Sequence, residues 1–330
     1  MLCNLFDKRF CRFIPTTAFC FLPSTDFPRL PVVDARHGRV LGQRGSMLVV
    51  WDPITDKMRE LPFPQKSDTW TAAVLCSAAA GACNHLDCHN GPFRVVFVCV
   101  NIGSALVYTY SSNAAAWSEP VGPQQNYHVD PFMGSALVGN ALYFGNLVRS
   151  TALKYDLELC QLSLICLPSL WRRSQLQESL LTTMEDGGLG LVRRDDSKLY
   201  MWSRKDTHEV HATWERSVIE LKTVFPVDID VTKLILIGSG VDIIFMRTGN
   251  EVYTIDLRTY KVKKVYEGII LTILPYMSFY TAVFRVATTG LYSKRKCVTM
   301  QTLIGQQDFR EMKDSGTYVQ DSILRPGVGI

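Results

Sequence analysis

The chain has 330 residues, of which 47% are apolar and 20% charged, with 35 basic against 31 acidic side chains. That is the composition of a folded globular protein, and the near balance of charge excludes nucleic-acid binding as its main work. Ten cysteines without regular spacing, an N-terminus lacking the charged-then-apolar order of a signal peptide and the absence of any Asn-x-Ser/Thr acceptor predict a reducing compartment, cytoplasm or nucleus, with the thiols free.

Residues 1–31 are aromatic and proline-rich (Phe10, Phe13, Pro15, Phe19, Phe21, Pro23, Phe27, Pro28, Pro31) and predict a lead-in strand or extended lead-in arm. A clear strand pair follows over 48–64. Leu48, Val49, Val50 and Trp51 form an apolar run suited to a strand buried on both faces. Asp52 ends it with a carboxylate able to accept backbone N–H groups of the turn, and Pro53 presets the turn's backbone angle. The chain returns through Met58 to Leu61, and Pro62 ends the strand.

The same hairpin recurs in altered form at 107–117, 152–167, 199–210 and 252–265. Taking Trp51, Tyr110, Tyr155, Trp202 and Tyr253 as equivalent markers, the steps are about 59, 45, 47 and 51 residues, close to the roughly 40–50 of a four-stranded propeller blade or kelch-like repeat. Two units can be read strand by strand, as 135–138, 141–144, 152–156 and 160–167, and as 234–237, 242–247, 252–256 and 261–265. Gly139-Asn140 and Thr248-Gly249-Asn250 supply turns. Units at about 32–64, 70–120, 132–170, 187–222 and 233–266 therefore predict an all-β fold. It is a β-propeller of four-stranded antiparallel blades over 32–290, with five readable units and a sixth blade closed by terminal strands that remove open sheet edges. Residues 175–181 are the one plausible short helix. The most apolar stretch, 269–284, is broken by Pro275 and falls short of about 20 residues, so it predicts a buried strand and no membrane span. Residues 291–330 read as a polar tail with the composition of a disordered segment.

Three constellations could carry chemistry. Cys83, His85, Cys88 and His89 place four potential zinc ligands within seven residues. Structural zinc sites usually pair two knuckles from separate segments, and no second pair stands at a matching spacing, so the expectation is a structural loop, no metal and no cofactor. His208-Glu209-Val210-His211 resembles the start of a zincin motif but has Ala212 where the second histidine is needed. Gly187-Gly188-Leu189-Gly190 lacks the Lys-Ser/Thr of a phosphate loop and predicts a tight inter-blade turn. No catalytic residue is nominated, and the chain is not expected to be an enzyme.

Several stretches together resemble the C-terminal, F-box-associated propeller of the large F-box protein family of grasses. They are Arg36-His37-Gly38-Arg39-Val40-Leu41, residues 48–64 with their Trp-Asp-Pro-Ile-Thr core, Ala72-Ala73-Val74-Leu75-Cys76, and His85-Leu86-Asp87-Cys88-His89-Asn90-Gly91-Pro92-Phe93 running into Val95-Val96-Phe97-Val98. Tyr143-Phe144 and Leu274-Pro275-Tyr276-Met277-Ser278-Phe279-Tyr280 also fit, and the resemblance covers about residues 10–290. It implies the target-presenting part of a substrate receptor in a cullin-based ubiquitin ligase. The family's helical F-box, which docks on a Skp-type adaptor, has no counterpart ahead of Phe10, so contact with that adaptor is not expected of this chain.

The function expected is a protein-interaction propeller whose partner is a protein substrate. Loops joining successive blades, and each second strand to the third, gather on one face. They carry Trp70, Tyr127, His128, Trp171, Arg172 and Arg173, and aromatic and arginine side chains supply most hot-spot energy at interfaces. Trp70 and Trp171 could instead seal blade junctions. The competing expectations are a truncated paralogue with no ligase role and, from another class, a propeller enzyme, which would need a His/Tyr or carboxylate cluster at the ring's centre.

Overall fold

Strands with apolar residues on both faces must be covered on both faces, and this chain meets that demand by standing antiparallel sheets side by side around a ring. The computed structural model describes residues 11–15, 31–53, 55–77, 83, 85, 88, 91–101, 104–122, 134–146, 150–168, 179–184, 186–205, 213–240, 243–268, 272–278 and 299–305.

Strand β1 (Cys11–Pro15) stands apart in sequence from blade 1, which is β2 (Val32–Arg36), β3 (Arg39–Arg44), β4 (Met47–Asp52) and β5 (Lys57–Pro62). Blade 2 is β6 (Trp70–Cys76), β7 (Phe93–Asn101), β8 (Ser104–Ser111) and β9 (Ala116–Trp117). Blade 3 is β10 (Ser135–Val138), β11 (Ala141–Asn146), β12 (Thr151–Asp156) and β13 (Gln161–Cys166). Blade 4 is β14 (Ser179–Thr183), β15 (Leu189–Asp195), β16 (Lys198–Lys205) and β17 (Thr213–Glu220). A single helical turn, α1 (Leu221–Val224), and a 3-10 turn at Val231–Lys233 lead to blade 5: β18 (Ile235–Gly240), β19 (Ile243–Thr248), β20 (Glu251–Asp256) and β21 (Val262–Glu267). Strands β22 (Thr272–Ser278) and β23 (Thr299–Gly305) join β1 in a three-stranded sheet of order β1-β23-β22, assembled from both ends of the chain.

Period-two alternation sends neighbouring side chains of one strand into different blade junctions. In β7, Val95, Phe97 and Cys99 pack towards blade 1 with Leu41, Leu48 and Val50, whereas Val96 and Val98 pack towards blade 3 with Leu142, Phe144 and Leu153. In β11, Ala141 and Tyr143 turn the other way, towards Leu181, Leu189 and Leu191 of blade 4. Blades 4 and 5 meet through Val192, Met201, Leu236, Ile244 and Met246. Phe245 and Val252 of blade 5 meet Ile273 of β22, and Leu274 of β22 packs on Ala35, Val40 and Trp51 of blade 1. Apolar clusters therefore fill each junction, including the one that closes the circle. Each fully buried Leu or Phe contributes about 1.5–3 kcal/mol relative to exposure.

Polar clasps cross the same junctions. The Asp34 carboxylate accepts from the Val74 N–H (2.8 Å) and from Arg36 (3.2 Å), and Arg36 continues to the Ser135 hydroxyl (2.9 Å) and the Ser135 carbonyl, tying blades 1, 2 and 3. On the outer strands, Trp117 Nε1 donates to the Pro62 carbonyl (3.0 Å) and Trp214 Nε1 to the Cys166 carbonyl (3.1 Å), so each indole hooks the blade before its own.

In blades 1, 3 and 5 the turns between third and fourth strands share one construction. Asp52 accepts from the Thr55 hydroxyl (2.8 Å), Asp156 from the N–H groups of Glu158 and Leu159 (3.0 and 2.9 Å), and Asp256 from those of Arg258 and Thr259 (3.0 and 2.9 Å). The Leu159 N–H foremost holds the Asp156 carboxyl below its usual range, as the Thr259 N–H does for Asp256. Four residues after each aspartate the chain takes a left-handed conformation, at Asp56 (φ 54°), Cys160 (φ 51°) and Tyr260 (φ 54°).

Three features depart from the sequence pattern. Ser179–Thr183 is the first strand of blade 4, not part of a helix over 175–181, because Leu180 and Leu181 are needed on opposite faces of that strand. The Gly187-Gly188 turn, with Gly187 at φ 77°, joins the first and second strands within blade 4 instead of linking two blades. Thr299–Gly305, placed by the sequence in a polar tail, is a strand of the closing sheet, paired with β1 on one side and β22 on the other.

Candidate functional site

Connections of an up-and-down ring collect at its two ends. The end with inter-blade loops and second-to-third strand loops is where the docking residues were placed. Trp70 opens β6 and is half-buried: its ring stacks on Phe97 (centroids 5.4 Å apart, 20° between planes) and tilts against Phe63 (5.0 Å). It thus belongs to the packing of the blade 1–blade 2 junction. Tyr127, His128, Trp171, Arg172 and Arg173 lie outside the described residues, as do His89 and the His208–His211 tetrad.

At the other end, first-to-second strand connections are short in blades 1, 3 and 5, at residues 37–38, 139–140 and 241–242, but in blade 2 the connection runs over 77–92. Strand register sets its feet. Cys76 pairs with Phe93, so the last residue of β6 stands beside the point where the connection re-enters the sheet. Cys83, His85 and Cys88 fold back over that point, and the ligand atoms of Cys76, Cys83, His85 and Cys88 all lie within 4.8 Å of one another. Cys83 Sγ and Cys88 Sγ are 3.4 Å apart, and Cys88 Sγ is 3.6 Å from His85 Nδ1. Left-handed backbone at His85 (φ 56°) folds the loop there, and the His85 N–H donates to Cys83 Sγ (3.3 Å). That hydrogen bond foremost pulls the Cys83 thiol below its ordinary range, whereas burial pushes Cys88 up.

Blade 1 walls this cluster. The His37 ring lies flat on the His85 ring (centroids 3.8 Å apart, 5° between planes), and its Nδ1 accepts from the Cys76 N–H (3.0 Å). Burial first, then the neighbouring His85, Arg36 and Arg39, push His37 down to about 3, so it is neutral at physiological pH. Arg39 is buried and donates from Nη2 to the carbonyls of Cys88 and of Gly91 (2.6 Å); its guanidinium stands 5.3 Å from the centre of the Phe93 ring. The sequence supplies three of these four groups as a local run. It hides Cys76, whose closeness depends on the β6–β7 register.

A model of the family described as "F-box protein AT5G49610-like, beta-propeller" matches residues 31–284. No curated protein matches the chain. Similar solved structures include the WD40 domain of SCAP from fission yeast, at 14% identity and TM-score 0.42, over 81% of this chain and 62% of that one. Another is a chain of the Mitotic Checkpoint Complex, at 14% identity and TM-score 0.40, over 79% of this chain and 72% of that one. The chain therefore spans less than two thirds of the first of these.

Proposed function

The chain belongs to the F-box protein AT5G49610-like beta-propeller family, and from that premise we propose that it is a protein-interaction propeller holding a target protein for a cullin-based ubiquitin ligase. The observation that carries the reading is the span of the family match, residues 31–284, which takes in all five four-stranded blades. A ring of stacked sheets offers a rigid rim whose loops can vary without disturbing the junctions beneath them. The work assigned to it is binding, not catalysis, in the cytoplasm or nucleus. Contact with a Skp-type adaptor is the work of an F-box module and is not assigned to the ring.

The docking end is tested directly. The tagged chain is captured from cells with the proteasome inhibited, and co-purifying proteins are quantified by mass spectrometry. The reading expects a reproducible protein partner. Arg172→Ala combined with Arg173→Ala should lower its capture roughly tenfold or more, since one interface hot spot is worth about 2 kcal/mol. Equal capture by the double variant would remove those two arginines from the interface. A ring that folds but retains no reproducible partner would overturn the reading.

A further inference from the structure

We infer that Cys76, Cys83, His85 and Cys88 form a structural zinc site that staples the long connection of blade 2 onto the end of β6, against the wall that blade 1 provides. A tetrahedral Zn²⁺ with Zn–S of about 2.3 Å and Zn–N of about 2.0–2.1 Å sets its ligand atoms roughly 3.5–3.8 Å apart. The observed Cys83–Cys88 and Cys88–His85 separations, 3.4 and 3.6 Å, are close to that spacing. Three sulfurs and one imidazole nitrogen are a closed donor set for zinc: soft enough to select it over magnesium or calcium, with no place left for substrate.

The surroundings match the charge and geometry that such a site needs. Three thiolates and a neutral imidazole around Zn²⁺ leave one net negative charge, and the buried Arg39 guanidinium sits against the Cys88 and Gly91 carbonyls to balance it. The N–H of His85 on Cys83 Sγ is a hydrogen bond that favours thiolate. His37, whose Nδ1 is committed to the Cys76 N–H, is not a fifth ligand; stacked on His85, it fixes the plane of the coordinating ring. An unsupported connection the length of 77–92 is uncommon within a compact domain unless something organises it, and the matching connections of blades 1 and 3 are two-residue turns. The site lies at the opposite end of the ring from the loops proposed for docking.

The test uses the full-length chain purified under reducing conditions without added chelator. Native mass spectrometry and elemental analysis are expected to give one zinc per chain. Cys83→Ser with Cys88→Ser should lose at least about nine tenths of the metal, and Cys99→Ser, a buried thiol away from the cluster, should keep it. Metal-depleted protein given Co²⁺ should develop the strong visible bands and thiolate charge-transfer absorption of tetrahedral cobalt. Hydrogen exchange should then rise at least tenfold across 77–92 on metal removal while β11 and β12 keep their protection. A metal-free wild-type mass, with either four reduced ligands or a Cys83–Cys88 disulfide, overturns the inference. So does cobalt uptake without thiolate absorption. Because the wild-type stoichiometry decides the matter, a double-serine variant that fails to fold leaves the test intact.

Discussion

Asp34 shows how a single buried carboxylate is used against its own solvation. Burial raises its pKa although Arg36 and the N–H groups of Val74 and Ala35 pull the other way. With the folded pKa above the unfolded 3.8, the folded state holds a proton that the unfolded chain has released, so stability falls as pH rises through that window. Asp34→Asn keeps an oxygen for Val74 and Arg36 but cannot ionise. The difference between wild-type and Asn-variant unfolding free energies, from urea titrations at a series of pH values, should therefore slope across the region just above 3.8 and flatten beyond the folded pKa. Asp34→Ala leaves the Val74 N–H unpaired in a buried junction and should cost about 1–3 kcal/mol. A second residue-scale prediction concerns Tyr260, half exposed and held at φ 54°. Left-handed backbone costs an ordinary L-residue about 1–2 kcal/mol, partly offset by glycine's freer unfolded chain. Tyr260→Gly should thus stabilise by about 0.5–1 kcal/mol, read as a higher urea midpoint at unchanged slope.

At the scale of strands and loops, legibility follows locality. Blade 3 could be delimited to within two residues and blade 5 to within three because each hairpin carries its own punctuation: Gly139-Asn140, Gly249-Asn250 and the aspartates Asp156 and Asp256 that close their third strands. The first strand of blade 4 was not legible. Gln175-Leu176-Gln177-Glu178-Ser179-Leu180 has helix formers with leucines four apart, and only the neighbouring blades, which claim Leu181 on one face and Leu180 on the other, decide for strand. Strand β23, Thr-Met-Gln-Thr-Leu-Ile-Gly, has too little apolar alternation to announce itself. The Cys/His cluster divides in the same manner. Cys83, His85 and Cys88 stand out in the sequence, but Cys76 becomes their neighbour only through pairing with Phe93. The recurrent indole hooks, Trp117 to Pro62 and Trp214 to Cys166, were equally invisible, since each joins residues of adjoining units.

For the molecule as a whole, the closing sheet is the joint on which the circle depends. Strand β23 lies between β1 and β22 and pairs with both, so it holds the N-terminal strand to the ring. Ending the chain at residue 298 would strip β1 of its partner and expose one side of β22. The expected loss is comparable to the whole margin of an ordinary domain, about 5–15 kcal/mol. Such a chain should unfold well below the full-length protein in a thermal melt, or lose a single cooperative transition. A melt unchanged by the truncation would count against the closing role of β23.

That joint also fixes an order of events during synthesis. A ribosome delivers the chain from its first residue, yet strand β1 cannot be clamped until residues 299–305 have emerged. Before β22 has emerged the nascent protein is an open arc, its leading edge bearing the Ala35–Val40–Trp51 patch that Leu274 then covers, and β22 itself waits for β23 to pair with it. The interval before closure is when the polypeptide most needs a chaperone and is most liable to pair edge to edge with another copy.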